Sequence, residues 1–221
     1  MLERLHLCVI TDARLAPGQD HLAVARAALA GGADMIQLRD KGGDLRALLP
    51  QARAIQALCR SRGAIFIVND RLDLALAAEA DGVHVGQEDL PAEAARPLLK
   101  PGRLLGVSTH SREQAEAALA SGADYIGFGP MFRTGTKDTG YTPRGLEGLH
   151  AIRMAVGLPI LAIGGISLEN VAAVIAAGAT APAVISGVVA APDITTAAAA
   201  FRARVAAAKA QGGPHEGPRV S

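Results

Sequence analysis

The chain has 221 residues and a net charge of +1, and half of its residues are hydrophobic. One α/β domain of about 200–250 residues fits this length, and the balanced charge gives no argument for binding nucleic acid or an anionic membrane. No apolar run approaches the ~18–20 residues of a membrane span, and the segment MLERLHLCVITD lacks the apolar core of a signal peptide. We therefore expect a cytoplasmic protein with no membrane and no nucleic-acid partner.

The core must be built from aliphatic side chains, because aromatic residues make up only 3% of the chain and tryptophan is absent. Ala, Val, Leu and Ile suit parallel strands that are covered by helices. Cys8 and Cys59 lie in apolar, periodic segments, so we expect reduced core thiols rather than a disulfide framework or a metal site.

Short β-branched segments alternate with Ala/Leu-rich segments such as LAVARAALAGG and LLPQARAIQALCRSRG, whose apolar residues recur three and four positions apart. Such alternation predicts parallel βαβ units. The predicted strands are His6–Thr11, Met35–Asp40, Ile65–Asp70, Gly82–Gly86, Leu104–Thr109, Tyr125–Pro130, Ile160–Gly165 and Ala183–Gly187.

A weak internal repeat supports the count of eight strands. The segments GGADMIQL, EADGVHV, GADYIGF and GATAPAVI mark every second αβ unit, which favours a closed barrel. An open, doubly wound sheet is the alternative, but it would show a glycine-rich fingerprint where the first strand here ends in Thr11-Asp12. We predict an α/β fold, a (β/α)8 TIM barrel, as a single catalytic domain over residues 1–210, with a disordered Gly/Pro-rich tail over 211–221.

Polar residues collect at the predicted carboxyl ends of the strands, where barrels carry their active sites. Gln37, Arg39 and Lys41 alternate at the end of the second strand and so share one face. Two cations on an inward face favour an anion clamp, with phosphate as the expected ligand. The alternative is a solvated strand end with salt bridges to Asp40 or Asp44.

Two carboxylates follow the neighbouring third and fourth strands. Asp70 comes directly after Asn69, and Asp89 lies in the segment VHVGQEDLP. Mg²⁺ takes one or two protein carboxylates and completes its shell with water and phosphate oxygens, so the pair predicts a magnesium site. Alternatively, Asp89 is a helix N-cap, and Asp70 pairs with Arg71 or caps the next helix.

The fifth strand ends in Ser108-Thr109-His110-Ser111, where Ser111 reads as an N-cap. His110 is compatible with a general base and equally with a hydrogen-bonded structural histidine. No nucleophilic serine with a paired base and no metal-type histidine spacing occurs elsewhere in the sequence.

The longest loop, Pro130 to Arg144, follows the sixth strand and offers Thr134, Thr136 and Lys137. Long loops in compact domains are often functional, so we interpret it as a lid over a phosphorylated or carboxylated ligand. The alternative is a mobile surface loop.

The seventh and eighth predicted strands end in Gly164-Gly165 and Ser186-Gly187. Loops after these strands commonly form a phosphate site with helix N-termini, and glycine lets backbone N–H groups approach closely. Tight βα turns alone would explain the glycines as well. The residues thus predict two anion sites, one metal-assisted and one metal-free.

The segments IQLRDK, FIVNDRLDLALAAEADGVHVGQEDLP, GVSTHS, YIGFGPMFRTGTK and AIGGI resemble the thiamine phosphate synthase family, over about residues 5–208. NDR…GVHVGQEDLP carries the resemblance, whereas AIGGI alone would be unspecific. The resemblance implies a transferase that joins a hydroxymethylpyrimidine diphosphate to a thiazole phosphate and releases diphosphate. A carboxylated thiazole phosphate would also lose CO₂.

The resemblance also assigns roles to residues. Asp70 and Asp89 would bind Mg²⁺, the implied cofactor. Arg39, Lys41, Ser108 and Lys137 would be catalytic. The pyrimidine diphosphate would be held by Gln37, Arg39, Lys41, Asn69 and Ser108, and the thiazole phosphate by Thr134, Thr136, Lys137, Gly165, Ile185 and Ser186.

The implied mechanism is dissociative: diphosphate leaves first, the aminopyrimidine stabilises a methylene cation, and the thiazole nitrogen attacks. Such a reaction needs charge neutralisation and positioning rather than a nucleophile. The partners would be small-molecule substrates, and assembly into a homo-oligomer is compatible with the sequence.

Two segments depart from the family pattern: GATAPAVIS, which ends at Ser186 and stands where a form like GADGVAVVS is usual, and RTGTK, where forms like PTPTK are common. Two other functions compete. A thiazole tautomerase-like isomerase could use His110 but would leave the clamp and Asp89 without a task. A non-catalytic barrel that binds phosphorylated metabolites would not need the two carboxylates.

Overall fold

The alternating segments form a closed parallel barrel in the computed structural model, which describes residues 2–134 and 140–211. The strands pair in chain order, and the first closes on the eighth. They are β1 (Cys8–Thr11), β2 (Met35–Leu38), β3 (Ile65–Asn69), β4 (Gly82–Val85), β5 (Leu104–Thr109), β6 (Tyr125–Phe128), β7 (Ile160–Ile163) and β8 (Ala181–Val184).

Helices follow every strand and cover the outside of the barrel. They are α1 (His21–Ala30), α2 (Leu45–Arg62), α3 (Leu72–Ala77), α4 (Ala92–Ala95), α5 (Arg112–Ala120), α6 (Gly145–Ala155), α7 (Val171–Ala176), α8 (Ser186–Val189) and α9 (Ile194–Gln211). The predicted (β/α)8 TIM barrel is confirmed.

The predicted bounds were wrong for the last strand, which spans Ala181–Val184 rather than Ala183–Gly187. Ala183 and Val184 pair with β1, and Ile185 then leaves the extended conformation. Ser186 and Gly187 therefore lie in the first turn of α8 and not at a strand end. The sequence misled because the β-branched residues of VISGVV continue across the strand-to-helix boundary.

Local sequence signals explain the helix boundaries near the site. The side chains of Asp20, Asp44 and Ser111 accept hydrogen bonds from backbone N–H groups in the first turns of α1, α2 and α5, as N-caps do. The predicted cap at Ser111 is thereby confirmed. Gly63 ends α2 in the left-handed conformation with φ 65°, which glycine adopts without a Cβ penalty.

Two apolar layers hold the barrel. Leu38, Val83 and Val85 belong to the outer layer, between the strands and the helices. The inner layer fills the barrel itself and includes Leu2 and Leu5 from the N-terminal segment. Because side chains alternate along a strand, the polar residues between the outer-layer positions of β2 and β4 point into the barrel.

The sequence repeat has a structural role at the amino-terminal end of the barrel. In each repeat, the residue before an even-numbered strand accepts a hydrogen bond from a backbone N–H near the start of the preceding odd-numbered strand. The pairs are Asp34 with Leu7, Asp81 with Phe66, Asp124 with Leu105 and Thr180 with Ile160. The repeat thus ties neighbouring strands together in pairs.

Cys8 and Cys59 are buried free thiols, as predicted. Burial raises the pKa of each to about 12, which suppresses the reactive thiolate. Within residues 2–134 and 140–211, no helix combines the length and apolar character that crossing a bilayer requires. Helix α9 continues through Gln211, and the rest of the predicted tail, 212–221, lies outside the described residues.

Candidate active site

Of the cavities at the carboxyl ends of the strands, two border most of the predicted site residues. The larger, of about 240 Å³, is bordered by residues that follow β2, β3, β4 and β5. The smaller, of about 100 Å³, is bordered by residues that follow β6, β7 and β8. The cavities adjoin, since they share Ser108, His110, Gly127, Ile163, Ala183 and Ile185. The described residues that the sequence predicts for its two anion sites thus border these adjoining cavities.

The cationic side of the larger cavity is formed by Arg39 and Lys41, next to Gln37. Gln37 lies on β2, whereas Arg39 and Lys41 lie just beyond the strand. Gln37 and Arg39 are buried and Lys41 is exposed. All three predicted clamp residues therefore border one cavity.

Arg39 is held by Asp12, at the end of β1. Arg39 Nη1 donates to Asp12 Oδ2 over 2.7 Å, and both side chains are more than 90% buried. Asp12 also accepts two hydrogen bonds from the Arg14 guanidinium, which hold the pKa of that carboxyl below its ordinary range even though burial opposes the shift. The guanidinium of Arg39 is therefore fixed before any ligand binds.

Salt bridges from the clamp to Asp40 or Asp44, the alternative interpretation, are not what fixes Arg39. Asp40 faces His21 Nε2 at 3.2 Å and accepts from the backbone N–H groups of Gly42 and Gly43. Asp44 caps α2. The loop that carries Lys41 is thus folded around Asp40.

The two predicted metal ligands, Asp70 and Asp89, border the same cavity. They follow β3 and β4, which are neighbouring strands. Asp70 has φ +64°, a left-handed conformation that few residues other than Gly, Asn and Asp adopt. Its backbone N–H donates to the carbonyl of His84 over 2.8 Å. This places Asp70 at the mouth of the barrel, beside β4.

The structural alternatives to metal binding were a helix cap for Asp89, and a helix cap or an ion pair with Arg71 for Asp70. Neither carboxylate has such a role. Asp89 Oδ2 accepts from the backbone N–H of Gly86 over 2.7 Å, while α4 begins after Pro91 without a side-chain cap. Arg71 forms its ion pair with Asp73 and not with Asp70. No side chain caps α3.

The donor set fits a hard divalent cation. Among the described residues no group of three or more His, Cys, Asp or Glu side chains is arranged to hold a metal. Two carboxylates next to a cationic clamp suit Mg²⁺, which usually keeps water and substrate phosphate oxygens in its shell. They would not suit a closed zinc site, which takes four protein ligands.

Ser108 and Asn69 complete the larger cavity. The Ser108 hydroxyl is 2.9 Å from His84 Nε2, and its backbone carbonyl accepts from Gln87 Nε2 over 2.6 Å. The hydroxyl is therefore held from the β4 side.

The smaller cavity is bordered by Thr134, Gly165, Ile185 and Ser186. Gly165 has φ +67°, and a Cβ there would lie 2.6 Å from the carbonyl oxygen of Arg133 and 2.8 Å from Phe132 Cβ. Only glycine fits this position without displacing the start of the long loop. Thr136 and Lys137, the remaining residues predicted for this side, lie outside the described residues.

His110 lies between the two cavities. Its Nδ1 contacts the carbonyl of Gly129, and its ring stacks on Tyr141 with centroids 3.8 Å apart. Arg144 lies over the Tyr141 ring at 5.5 Å. These contacts position the imidazole, and both sequence-based roles for His110 stay open.

Sequence reasoning missed Asp12, His84, Tyr125 and Tyr141. Asp12 follows β1 in the same way that Asp70 follows β3, so the rule used for the other strands would have selected it. His84 alternates with the apolar residues of GVHV, which predicts an inward side chain. Tyr125 and Tyr141 carry no comparable signal.

Comparisons with known proteins point to one family and one fold. A family model described as thiamine monophosphate synthase matches residues 7–188. The thiamine-phosphate synthases of Moorella thermoacetica and Methanoculleus marisnigri are each 53% identical to the chain, covering 93% of it and 97% and 98% of their own lengths. The solved thiamine phosphate pyrophosphorylase of Pyrococcus furiosus superposes with a TM-score of 0.86 at 39% identity, covering 94% of this chain and 98% of that one.

Proposed function

The chain belongs to the thiamine monophosphate synthase family of transferases, and from that premise we propose how its two cavities divide the reaction. The larger cavity binds a hydroxymethylpyrimidine diphosphate, and the smaller binds a thiazole phosphate. The two reactants meet where the cavities share Ser108 and His110.

In the larger cavity, Arg39 and Lys41 neutralise the diphosphate, and Asn69 and Gln37 hold the pyrimidine side of the substrate. Asp70 and Asp89 hold Mg²⁺, which lowers the negative charge of the leaving group when it is bound. The prior fixation of Arg39 by Asp12 supports this role, because a cation that is already positioned needs little reorganisation as charge develops.

In the smaller cavity, the glycine turn at Gly165 and the hydroxyls of Thr134 and Ser186 bind the thiazole phosphate, with Ile185 against its ring. Lys137 and Thr136 contribute from the same loop as Thr134. No metal is required there, because a phosphate monoester is adequately bound by hydroxyls, backbone N–H groups and one ammonium.

The reaction begins with cleavage of the bond between the methylene carbon and the diphosphate oxygen, and the electron pair leaves with diphosphate. The electron-rich aminopyrimidine stabilises the resulting cation, and the thiazole nitrogen donates its lone pair to form the new C–N bond. The residues bordering the cavities support this course, since they offer cations and hydrogen-bond donors. Arg39, Lys41, Ser108 and Lys137 are the proposed catalytic residues.

One observation carries the proposal: a fixed guanidinium and two carboxylates border one cavity, next to a second cavity that hydroxyl groups and glycines border. We expect Asp89→Asn to raise the magnesium concentration for half-maximal rate at least tenfold, because it removes a charged ligand. Diphosphate release measured over a magnesium titration tests this expectation.

Glu93→Gln is the matched control, since Glu93 is an exposed carboxylate on α4, four residues further along. It should leave the magnesium curve unchanged. If Asp89→Asn behaves like this control, Asp89 is not a metal ligand.

A further inference from the structure

A polar pair, His84 and Tyr125, lies inside the barrel below the larger cavity. His84 is 6% exposed and Tyr125 is fully buried. They lie on β4 and β6, which are not neighbours, yet both are in register with Gly106 on the strand between them. Their rings meet across this glycine, with centroids 5.5 Å apart.

Two glycines leave room for this pair. A Cβ at Gly106 would overlap the Tyr125 ring and lie 2.5 Å from His84 Nδ1. A Cβ at Gly127 would lie 3.0 Å from His84 Cε1. Since β-branched residues are the usual choice in barrel strands, glycine at both positions indicates that the pair needs this space.

The pair belongs to a row of hydrogen bonds that ends at Ser108. The Tyr125 hydroxyl is 3.2 Å from His84 Nδ1. His84 Nε2 is 2.9 Å from Ser108 Oγ. The row therefore runs from β6 through β4 to β5.

The protonation state of Tyr125 decides which atoms donate and which accept along this row of hydrogen bonds. Burial raises the pKa of Tyr125 well above its ordinary value of 10, so the phenol keeps its proton. A buried phenol O–H normally donates to a partner, and in this geometry Nδ1 of His84 accepts from the Tyr125 hydroxyl. A neutral imidazole that accepts at Nδ1 donates from Nε2.

We propose that His84 is a positioning residue that makes Ser108 a hydrogen-bond donor toward the ligand of the larger cavity. With its oxygen occupied by the Nε2–H of His84, the Ser108 hydroxyl directs its proton into the cavity. Tyr125 fixes the tautomer that this requires. The inference rests on the proposed function only in taking that ligand to be the pyrimidine diphosphate.

A double-mutant cycle distinguishes positioning from packing. We expect His84→Leu to lower kcat about tenfold, the equivalent of one lost hydrogen bond, with a smaller effect on KM for the thiazole phosphate. His84→Gln, which keeps an N–H donor of similar reach, should restore part of the loss. His84→Leu combined with Ser108→Ala should be no slower than Ser108→Ala alone.

Tyr125→Phe carries the same test if His84→Leu fails to fold, because it removes a single oxygen. It should lower kcat several-fold in wild type and leave it unchanged when Ser108 is already alanine. The control is Met35→Leu, a replacement in the inner apolar layer outside the hydrogen-bonded row. It should show no coupling to Ser108.

The same cycle is measured by calorimetric binding of magnesium diphosphate, which needs no turnover. Coupling between positions 84 and 108 in this affinity supports the inference even if the wild-type protein makes no thiamine phosphate, a result that would overturn the proposed function alone. Additive effects of His84→Leu and Ser108→Ala, in rate and in affinity, would overturn the inference. So would a loss of melting temperature with unchanged kcat.

Discussion

The fixation of Arg39 by Asp12 is the interaction at the residue scale on which the larger cavity depends. Desolvating two charges is costly, and such a pair contributes mainly by holding its members in one geometry. Asp12 is 3% exposed and Arg39 7% exposed. Removing the carboxylate would therefore leave a nearly buried guanidinium without its counterion.

Asp12→Asn should lower the free energy of unfolding by about 3 kcal/mol, the low end for breaking a buried pair, because Arg39 borders a cavity open to water. Urea denaturation at neutral pH measures this change. The matched control is Asp73→Asn, which breaks the exposed pair with Arg71 and should cost at most about 1 kcal/mol. Equal effects would show that burial of the Asp12 pair contributes nothing.

The loss of unfolding free energy caused by Asp12→Asn should depend on pH. The bonds from Arg14 lower the pKa of Asp12 below its ordinary value of 3.8, so its ionisation stabilises the folded state. That stabilisation is fully present above pH 3.8 and is lost as the pH falls from there through the folded-state pKa. The difference between wild type and Asp12→Asn should shrink over this interval, and a difference that grows on acidification would contradict the assignment.

The Arg39 pair also shows where sequence reasoning reaches its limit. The alternation of Gln37, Arg39 and Lys41 predicted an inward-facing cationic group, because side-chain direction is a local property of the strand. Its counterion is 27 residues away, just after β1, and only the register of the barrel brings the two together. Sequence proximity instead suggested Asp40 and Asp44.

At the scale of elements, the repeat that revealed eight strands also ties them together in pairs. Asp124 accepts from the backbone N–H of Leu105 over 2.7 Å and from Arg96 Nη1 over 2.9 Å. These contacts lie at the amino-terminal end of the barrel, away from both cavities. In (β/α)8 barrels, interactions at this end contribute to stability, while the opposite end carries the chemistry.

Asp124→Ala should therefore destabilise the protein without affecting catalysis. We expect a loss of about 1–3 kcal/mol, the cost of leaving a buried N–H unsatisfied, with kcat unchanged. Chemical denaturation and steady-state kinetics on one preparation measure both quantities. Glu116→Ala on α5 removes an exposed carboxylate and is the control, which should alter neither; a fall in kcat with Asp124→Ala would show that the two ends of the barrel are coupled.

Element boundaries were less predictable than element order. The order of strands and helices follows from the alternation of β-branched and Ala/Leu-rich segments along the chain. The end of β8 depends instead on where β1 stops pairing with it, at Val9↔Val184. A contact between distant segments decided this boundary, so Ser186 was assigned to a strand although it begins α8.

At the scale of the whole molecule, the closed barrel brings residues from many separate segments to one end. Asp70, Asp89 and Arg39 are distant in sequence and border a single cavity. The (β/α)8 architecture made that meeting predictable, since the carboxyl ends of parallel strands lie together. The His84–Tyr125 pair was not predictable in this way, because it depends on Gly106 lying between two strands that are not neighbours.

The central claim is that this barrel couples a pyrimidine diphosphate to a thiazole phosphate with the help of Mg²⁺. Supplying both substrates and Mg²⁺ to the purified protein, and quantifying diphosphate and thiamine phosphate together, tests it most directly. We predict that the two products form in equal amounts and that chelating the metal stops both. Absence of thiamine phosphate with Mg²⁺ present, together with isomerisation of the thiazole phosphate without it, would contradict the account.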